Sequence, residues 1–318
     1  MSRGPSGIDR KAYYREGWLE AARRLDIEFI DLGSGFLRLS AAHGGTTFHG
    51  AEVGVDDIAT YHLAGDKQLT DQLMRDAGIP RPTCSIHAAG ASALTDELRR
   101  SGWMHVIKPA AGSGGGRGVT VSPGSRNMAL RAIVEASAYG SQIMCEEHQS
   151  GRVCRALVFD GEVLDAVVRG PANVTGDGEL SVAQLVKMEN RRRATLGDKA
   201  TGFIEVGTDF LATLSHQELG RSDVPRRGQR VAVSGRSNSG SELETCRLEL
   251  DLPGQATAAL AADAVGVRLA GVDLVLDAAD AVASVLEVNT TPGLHWHTLV
   301  RNEPYDVFTQ ILKRVVAR

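Results

Sequence analysis

The stretch that decides the fold is a strand ending in a lysine, followed at once by a glycine-rich loop. It reads Ile107-Lys108-Pro109-Ala110-Ala111-Gly112-Ser113-Gly114-Gly115-Gly116-Arg117-Gly118-Val119. Glycines let successive backbone N–H groups turn inward without Cβ clashes, which creates a concave anion site. The lysine places a positive charge beside it. The pattern indicates a polyphosphate-binding loop, with a surface turn or linker as the alternative interpretation.

Two commoner phosphate loops are excluded by counting residues. A dinucleotide fingerprint that starts at Gly112 requires a third glycine where Arg117 stands, and the protein-kinase pattern fails at the same arginine. A Walker loop carries its lysine after the glycines, whereas Lys108 precedes them. The loop therefore belongs to another class of phosphate site.

Composition limits the classes of function. The chain has 318 residues, of which 42% are hydrophobic and 23% charged, enough for a globular protein of two or three lobes. Its net charge is −4, from 35 basic and 39 acidic residues, so no overall field favours nucleic acid or an anionic membrane. The basic runs 191–193 and 226–227 are expected to be solvated faces.

The cysteines and the N-terminal sequence indicate a reducing compartment. Four cysteines are scattered without CxxC spacing, and they are Cys84, Cys145, Cys154 and Cys246. We expect them to be ordinary buried residues. No N-terminal apolar segment of the signal-peptide type is present, so a cytoplasmic location is predicted.

Hydrophobic periodicity predicts alternating helices and strands, as in a mixed α/β protein. Helices are predicted over residues 10–25, 66–77, 92–101, 126–138, 181–193, 255–265 and 305–316. Strands are predicted over 27–32, 103–108, 118–121, 151–159 and 161–169, the last two joined by an Asp160-Gly161 turn. Residues 194–241 look irregular and polar. We divide the chain into an N-terminal segment (1–65), a small lobe (66–145) and a large lobe (146–318).

A second chemical signal lies in an apolar hairpin near the C-terminus, which carries Asp273, Glu287 and Asn289. If its turn spans residues 277–281, Asp273 faces Val285 and Glu287 lies one diagonal step away, about 7–8 Å at the backbone. Three oxygen-bearing side chains on one sheet face suit Mg²⁺. The alternative is that the acids pair with arginines or point outward at strand ends.

Two weaker signals flank these elements. Glu146-Glu147 ends a strand where the lobes should meet, so its backbone could face an adenine edge and a carboxylate the ribose, although such pairs are most often solvated. Lys67, which follows the possible helix cap Asp66, is equally ambiguous by itself. His295 and His297 flank Trp296, which favours a packed or substrate-facing turn over a metal pair.

In their order along the chain, these pieces resemble the ATP-grasp superfamily. Within it, the middle and end resemble cyanophycin synthetase and the glutathione-synthetase part of bifunctional glutamate-cysteine ligase/glutathione synthetase. The residues concerned are Glu146-Glu147-His148-Gln149-Ser150-Gly151-Arg152-Val153-Cys154-Arg155, Arg169-Gly170-Pro171-Ala172-Asn173-Val174-Thr175-Gly176-Asp177-Gly178 and Asn289-Thr290-Thr291-Pro292-Gly293-Leu294. The resemblance implies an α/β (α+β) ATP-grasp fold, in which two lobes hold ATP between them behind a short N-terminal pre-grasp segment.

The resemblance also implies a function, an ATP-dependent carboxylate-amine ligase that forms an amide bond through an acyl phosphate. It assigns nucleotide contacts to Lys67, Lys108, Ser113, Gly114, Gly115, Gly116, Glu146 and Glu147. It assigns one or two Mg²⁺ ions, with Mn²⁺ as a substitute, to Asp273, Glu287 and Asn289. It places Arg155, Arg169 and Arg236 near the transferred phosphoryl group or the substrate carboxylates.

Departures from the family pattern leave the substrates open. The segment 235–241 is shorter than its counterpart in those relatives, and His295 stands where a basic residue is expected. The resemblance implies amino acid or short peptide substrates, no nucleic acid or membrane partner, and a homodimer by analogy. Two alternatives remain: an enzyme that passes the acyl phosphate to a non-amine acceptor, and a module that binds ATP without turnover.

Overall fold

A computed structural model describes residues 10–196, 202–240, 245–298, 300 and 305–317. The start of the N-terminal segment and parts of the polar region 194–241 lie outside the described residues. Within the described ranges the chain is a mixed α/β protein, as predicted. No helix in these ranges combines the length and the apolar character that crossing a membrane requires.

The elements follow one another along the whole chain. The helices are α1 (Lys11–Leu25), α2 (Ile58–Ala64), α3 (Lys67–Asp76), α4 (Ser92–Arg100), α5 (Arg126–Ser137), α6 (Val182–Leu196), α7 (Thr208–Ser215), α8 (Leu252–Val265), α9 (His295–Thr298) and α10 (Val307–Val316). The strands are β1 (Phe29–Gly33), β2 (Phe36–Leu39), β3 (Thr47–His49), β4 (Cys84–Ala88), β5 (His105–Pro109), β6 (Thr120–Val121), β7 (Gln142–Glu147), β8 (Arg152–Phe159), β9 (Glu162–Arg169), β10 (Asn173–Thr175), β11 (Arg230–Ala232), β12 (Thr245–Arg247), β13 (Leu269–Leu276) and β14 (Val282–Asn289).

Two antiparallel sheets carry the candidate site. The smaller has the order β4-β7-β5-β6 and packs one face against α4 and α5. The larger has the order β12-β9-β8-β13-β14, with α8 and α3 on one face. Its other face meets a layer formed by the β1-β2-β3 sheet, α1 and α10, centred on Trp18, Phe48 and Phe308. The terminal parts of the chain thus support the back of the large sheet.

Local signals in the sequence explain where elements begin and turn. The Asp66 carboxylate accepts hydrogen bonds from the backbone N–H groups of Gln68 and Leu69, which caps α3 as predicted. Asp160 and Gly161 both have positive φ (49° and 77°) and form the tight turn between β8 and β9. The predicted hairpin is confirmed, since a two-residue turn of this type matches the twist of antiparallel strands.

Three predictions are wrong. The described part of residues 194–241 is not irregular, because it forms α7 and β11 around a core that contains Phe210 and Val231. The run 191–193 is not simply solvated, because Arg193 is fully buried and donates to the backbone oxygens of Gly202 and Ser239. Not every cysteine is buried, since Cys246 is exposed and Cys84 half-buried.

Candidate active site

A buried ion pair marks the face of the small sheet that is turned towards the large lobe. Lys108 on β5 and Glu146 on β7 stand on neighbouring strands, and Lys108 Nζ lies 2.8 Å from both carboxylate oxygens. Burial alone would lower the pKa of Lys108, but Glu146 and then Glu287 outweigh it, so the pKa lies above its usual value. Lys108 is therefore a permanently charged ammonium at the end of the strand before the glycine loop.

A second lysine lies beside the C-terminal hairpin. Lys67, the first residue of α3, places its Nζ 3.6 Å from the Oε1 atom of Glu287 on β14. The Lys67 backbone N–H also donates to Ala110, two residues beyond Lys108. The start of α3, the start of the glycine loop and the hairpin acid are thus neighbours in space.

At the centre of the large sheet, Asp273 accepts hydrogen bonds from two arginines. Arg155 binds it in a bidentate manner, with Nε 2.6 Å from Oδ1 and an η-nitrogen 2.8 Å from Oδ2. Arg169 adds a third bond of 2.6 Å to Oδ1. All three side chains are buried. Burial alone would raise the pKa of Asp273, but the two guanidinium groups outweigh it and hold the pKa below its usual value.

The two arginines also repel each other. Burial lowers the pKa of Arg169 to about 10, and the charge of Arg155 adds to this effect, although Asp273 opposes it. The Arg169 guanidinium lies 5.5 Å from the ring centre of Trp296, and its Nε is buried without a hydrogen bond among the described residues. Glu287 lies opposite Asp273 and acts on Arg155, so the two guanidinium groups and the two carboxylates balance in charge.

The hairpin register differs from the predicted one. Leu276 faces Val282 as assumed, but two register shifts follow, and Asp273 then faces Glu287 directly, not Val285. The reason is two β-bulges, each of which inserts one extra residue into β14. Directly opposed residues have Cβ atoms about 4.5–5.5 Å apart, so the two carboxylates lie closer than a diagonal pair would.

The glycine loop closes against the segment after β11. Arg236 donates to the backbone oxygen of Gly116 at 2.8 Å and lies 3.0 Å from the Glu205 carboxylate. Gly116 has φ +75°, and a Cβ there would lie 2.7 Å from Nδ2 of Asn238. Only glycine fits this position without displacing Asn238. The far end of the loop is therefore anchored to the large lobe through Arg236.

The other predicted nucleotide contacts lie on the glycine loop and at the end of β7. Gly114 and Gly115 are exposed on the loop, and Ser113 is half-buried there. Glu147 is exposed at the end of β7, whereas its neighbour Glu146 is buried. Glu147 stands opposite His105, so its side chain lies on the sheet face opposite that of Glu146.

The residues of the predicted magnesium set match the ligand preferences of that ion. Asp273 offers about four lone-pair positions, and the arginines use three of them. Asn289 donates its amide nitrogen to the Gly271 backbone oxygen at 3.2 Å, which leaves an amide oxygen as the remaining polar atom. The side chain of Glu287 is 35% exposed and is contacted only loosely by Lys67. Asp273 thus follows the alternative interpretation, an acid paired with arginines, whereas Glu287 and Asn289 keep oxygen atoms that suit a hard cation.

Sequence reasoning missed Asp209, whereas His297 lies in the kind of packed turn that the sequence favoured. Asp209 at the start of α7 accepts bonds from Ser234 and from the Val121 backbone, which ties the loop strand β6 to the large lobe. His297 is fully buried and its Nδ1 lies 2.7 Å from the Asp165 carboxylate, so it belongs to a packed turn. An acid at the first turn of a helix was the only available signal for Asp209.

Comparison with known proteins agrees with this geometry. No family model matches the chain. It is 25% identical over 292 residues to the glutathione biosynthesis bifunctional protein GshAB of Desulfotalea psychrophila, which covers 87% of this chain. It is 28% identical over 257 residues to the cyanophycin synthetase of Geminocystis herdmanii, which covers 76% of this chain.

One solved structure decides the fold. The bifunctional glutathione synthetase of Pasteurella multocida superimposes with a TM-score of 0.56 at 22% identity, over 95% of this chain and 43% of that one. This chain has the ATP-grasp fold. The resemblance found in the sequence is thus confirmed. The chain spans only 37% and 29% of the length of the two curated relatives.

Proposed function

We propose that this chain is an ATP-dependent carboxylate-amine ligase that forms an amide bond on an amino acid or short peptide and releases ADP and phosphate. The observation that carries the proposal is the meeting of Lys67 with Glu287, 3.6 Å apart, beside the buried Lys108. Lys108 from the small sheet, Lys67 from the start of α3 and an acid from the hairpin share one cleft. Such a site suits a nucleotide triphosphate together with its metal ion.

Phosphoryl transfer depends mainly on alignment and charge neutralisation. In the proposed reaction a substrate carboxylate oxygen attacks the γ-phosphorus, the bond to ADP breaks, and an acyl phosphate forms. Lys67 and Lys108 hold the phosphates, and the amides of residues 113–116 cover them and exclude water. When bound, Mg²⁺ would be held by Glu287 and Asn289, with Asp273 offering its remaining lone pair, and would neutralise phosphate charge.

The second half-reaction is the transfer to an amine. The amine nitrogen attacks the acyl carbon, phosphate leaves with the electrons of the C–O bond, and the nitrogen loses a proton. Arg155 and Arg169 supply fixed guanidinium donors, whose planar geometry suits carboxylate and phosphate oxygens. Their shared partner Asp273 holds both in place through three hydrogen bonds. Arg236 positions the loop through Gly116.

Bifunctional glutathione-forming enzymes and cyanophycin synthetase appear among the relatives, which supports amino acid or peptide substrates. The test is incubation with ATP, Mg²⁺ and pairs of amino acids or short peptides, followed by assays of ADP and product mass. The proposal expects ADP release that depends on the amine, with an amide product. ADP formation without any amine, with an acyl phosphate or an ester as product, would instead support a non-amine acceptor.

A matched pair of variants connects the activity to the site. Glu287→Gln keeps the size of the side chain and removes the charge, so we expect amide formation to be lost. Glu249→Gln is the control, because Glu249 is exposed elsewhere in the large lobe. Equal activity of the two variants would remove Glu287 from the proposed mechanism.

A further inference from the structure

A second polar cluster lies in the small lobe, on the sheet face opposite Lys108 and Glu146. Glu97 of α4, His105 of β5 and Cys145 of β7 each offer one ligand atom, and these atoms all lie within 4.8 Å of one another. Side chains alternate between the faces of a strand, so Cys145 points away from the nucleotide cleft while Glu146 points towards it. The proposed ligase function does not use this cluster.

Glu97 is the centre of the cluster. Ser85 donates to both of its oxygens at 2.8 Å, and His87 Nε2 lies 2.8 Å from its Oε2 atom. The carboxylate is thus oriented by two neighbours before any ligand arrives.

His105 is the part of the cluster that the protein leaves incomplete. Its Nε2 lies 3.8 Å from Glu97 Oε1, too far for a hydrogen bond. Its Nδ1 is buried and has no hydrogen-bond partner in the described ranges. Two donor atoms bound to one tetrahedral zinc ion at about 2.0–2.1 Å lie about 3.3–3.4 Å apart. The 3.8 Å gap between Glu97 and His105 is a few tenths of an ångström wider, so a small approach of the two side chains would bring both atoms to a shared cation.

We propose that Glu97, His105 and Cys145 bind one zinc-type divalent cation, and that Ser85 and His87 orient the carboxylate. A set of one imidazole, one thiolate and one carboxylate selects a borderline-soft metal over Mg²⁺. Water completes the fourth position, since the Glu97 side chain is 24% exposed. Binding displaces the thiol proton of Cys145.

The site lies directly behind the nucleotide residues. Cys145 precedes Glu146 on β7, and His105 stands three positions before Lys108 on β5. A cation there connects α4 to both strands and fixes the spacing of the Lys108–Glu146 pair on the other face. We infer a structural role for the metal, which stabilises the small lobe independently of the reaction.

Cobalt is the direct probe, because a thiolate bound to Co²⁺ produces a near-ultraviolet charge-transfer band that oxygen ligands do not. The full-length protein is stripped with a chelator and titrated with Co²⁺ alone, then with Zn²⁺. We expect one Co²⁺ per chain, a thiolate band, and loss of that band as Zn²⁺ displaces it. Binding of Co²⁺ at the proposed magnesium ligands gives no thiolate band, so the two sites are distinguished.

Variants identify the cysteine whose thiolate binds the metal. Cys145→Ser should abolish the band, while Cys246→Ser, which removes the exposed cysteine, should retain it. His87→Gln should weaken zinc affinity about 10–100-fold, as expected for a residue that orients a ligand. Circular dichroism verifies that each variant is folded. The proposal is overturned if wild-type protein shows no band at stoichiometric Co²⁺, or if the band survives Cys145→Ser and disappears in Cys246→Ser.

Discussion

Replacement of Asp273 by asparagine should destabilise the protein severely, because it leaves two buried guanidinium groups without their counter-ion. Asparagine retains the shape of the side chain but turns one of the accepting oxygens into a donor. Arg155 and Arg169 donate three hydrogen bonds to the carboxylate, and all three residues are buried. Breaking a buried ion pair by removing one partner costs about 3–5 kcal/mol.

The control is Asp280→Asn, since Asp280 pairs with Arg152 at the surface, where the two side chains are 43% and 48% exposed. Exposed pairs contribute about 0–1 kcal/mol. Urea denaturation at pH 7 should therefore show a loss of about 3–5 kcal/mol for Asp273→Asn and at most about 1 kcal/mol for Asp280→Asn. Two variants of equal stability would refute the assignment of Asp273 as the counter-ion of the arginine pair.

Three further changes probe separate contacts. In a calorimetric titration, Lys67→Ala should weaken nucleotide binding about tenfold, or about 1.4 kcal/mol. Lys187 is exposed, so Lys187→Ala should leave the affinity unchanged. Equal affinities of the two variants would remove Lys67 from the phosphate site. Gly116→Ala should slow ADP formation more than Gly115→Ala. Both glycines have positive φ, but only a side chain at position 116 would displace Asn238. Equal rates for the two variants would show that the contact between Gly116 and Asn238 has no role. Burial lowers the pKa of His295 well below its usual value, so the unfolded chain alone takes up a proton there as the pH falls below about 6.5. The free energy of unfolding should then fall by up to about 1.4 kcal/mol for each unit by which the pH decreases. In thermal melts at pH 7.5 and 5.5, His295→Gln should reduce this dependence on pH. A variant with the same pH dependence as wild type would contradict the role of His295.

Much of the fold could be predicted from local patterns. The cap at Asp66, the Asp160-Gly161 turn and the apolar periodicity of α1 each depend on neighbours within a few residues, and each prediction is confirmed. The order of the motifs along the chain resembles that of the ATP-grasp superfamily, and this resemblance was enough to predict the fold. Such signals are local, so the sequence displays them directly.

Tertiary features were harder to predict. The bulges that bring Asp273 opposite Glu287 have no signature in the hairpin sequence, because a bulge depends on how both strands pack. The burial of Arg193 depends on backbone oxygens of Gly202 and Ser239, far along the chain. The helix α7 was not predicted, because the residues around it are rich in Gly, Ser and Arg, which is typical of irregular segments. In each case the deciding partner lies outside the window that sequence patterns cover.

The central claim is that Lys67, Lys108 and Glu287 act on one nucleotide. A double-mutant cycle tests it directly, with Mg²⁺ and a non-hydrolysable ATP analogue titrated into wild type, Lys108→Gln, Glu287→Gln and the double variant. We predict one site per chain, weaker binding in each single variant, and a coupling energy of at least about 0.5 kcal/mol between the two changes. Unchanged affinity in either single variant, or strictly additive losses, would contradict a shared nucleotide.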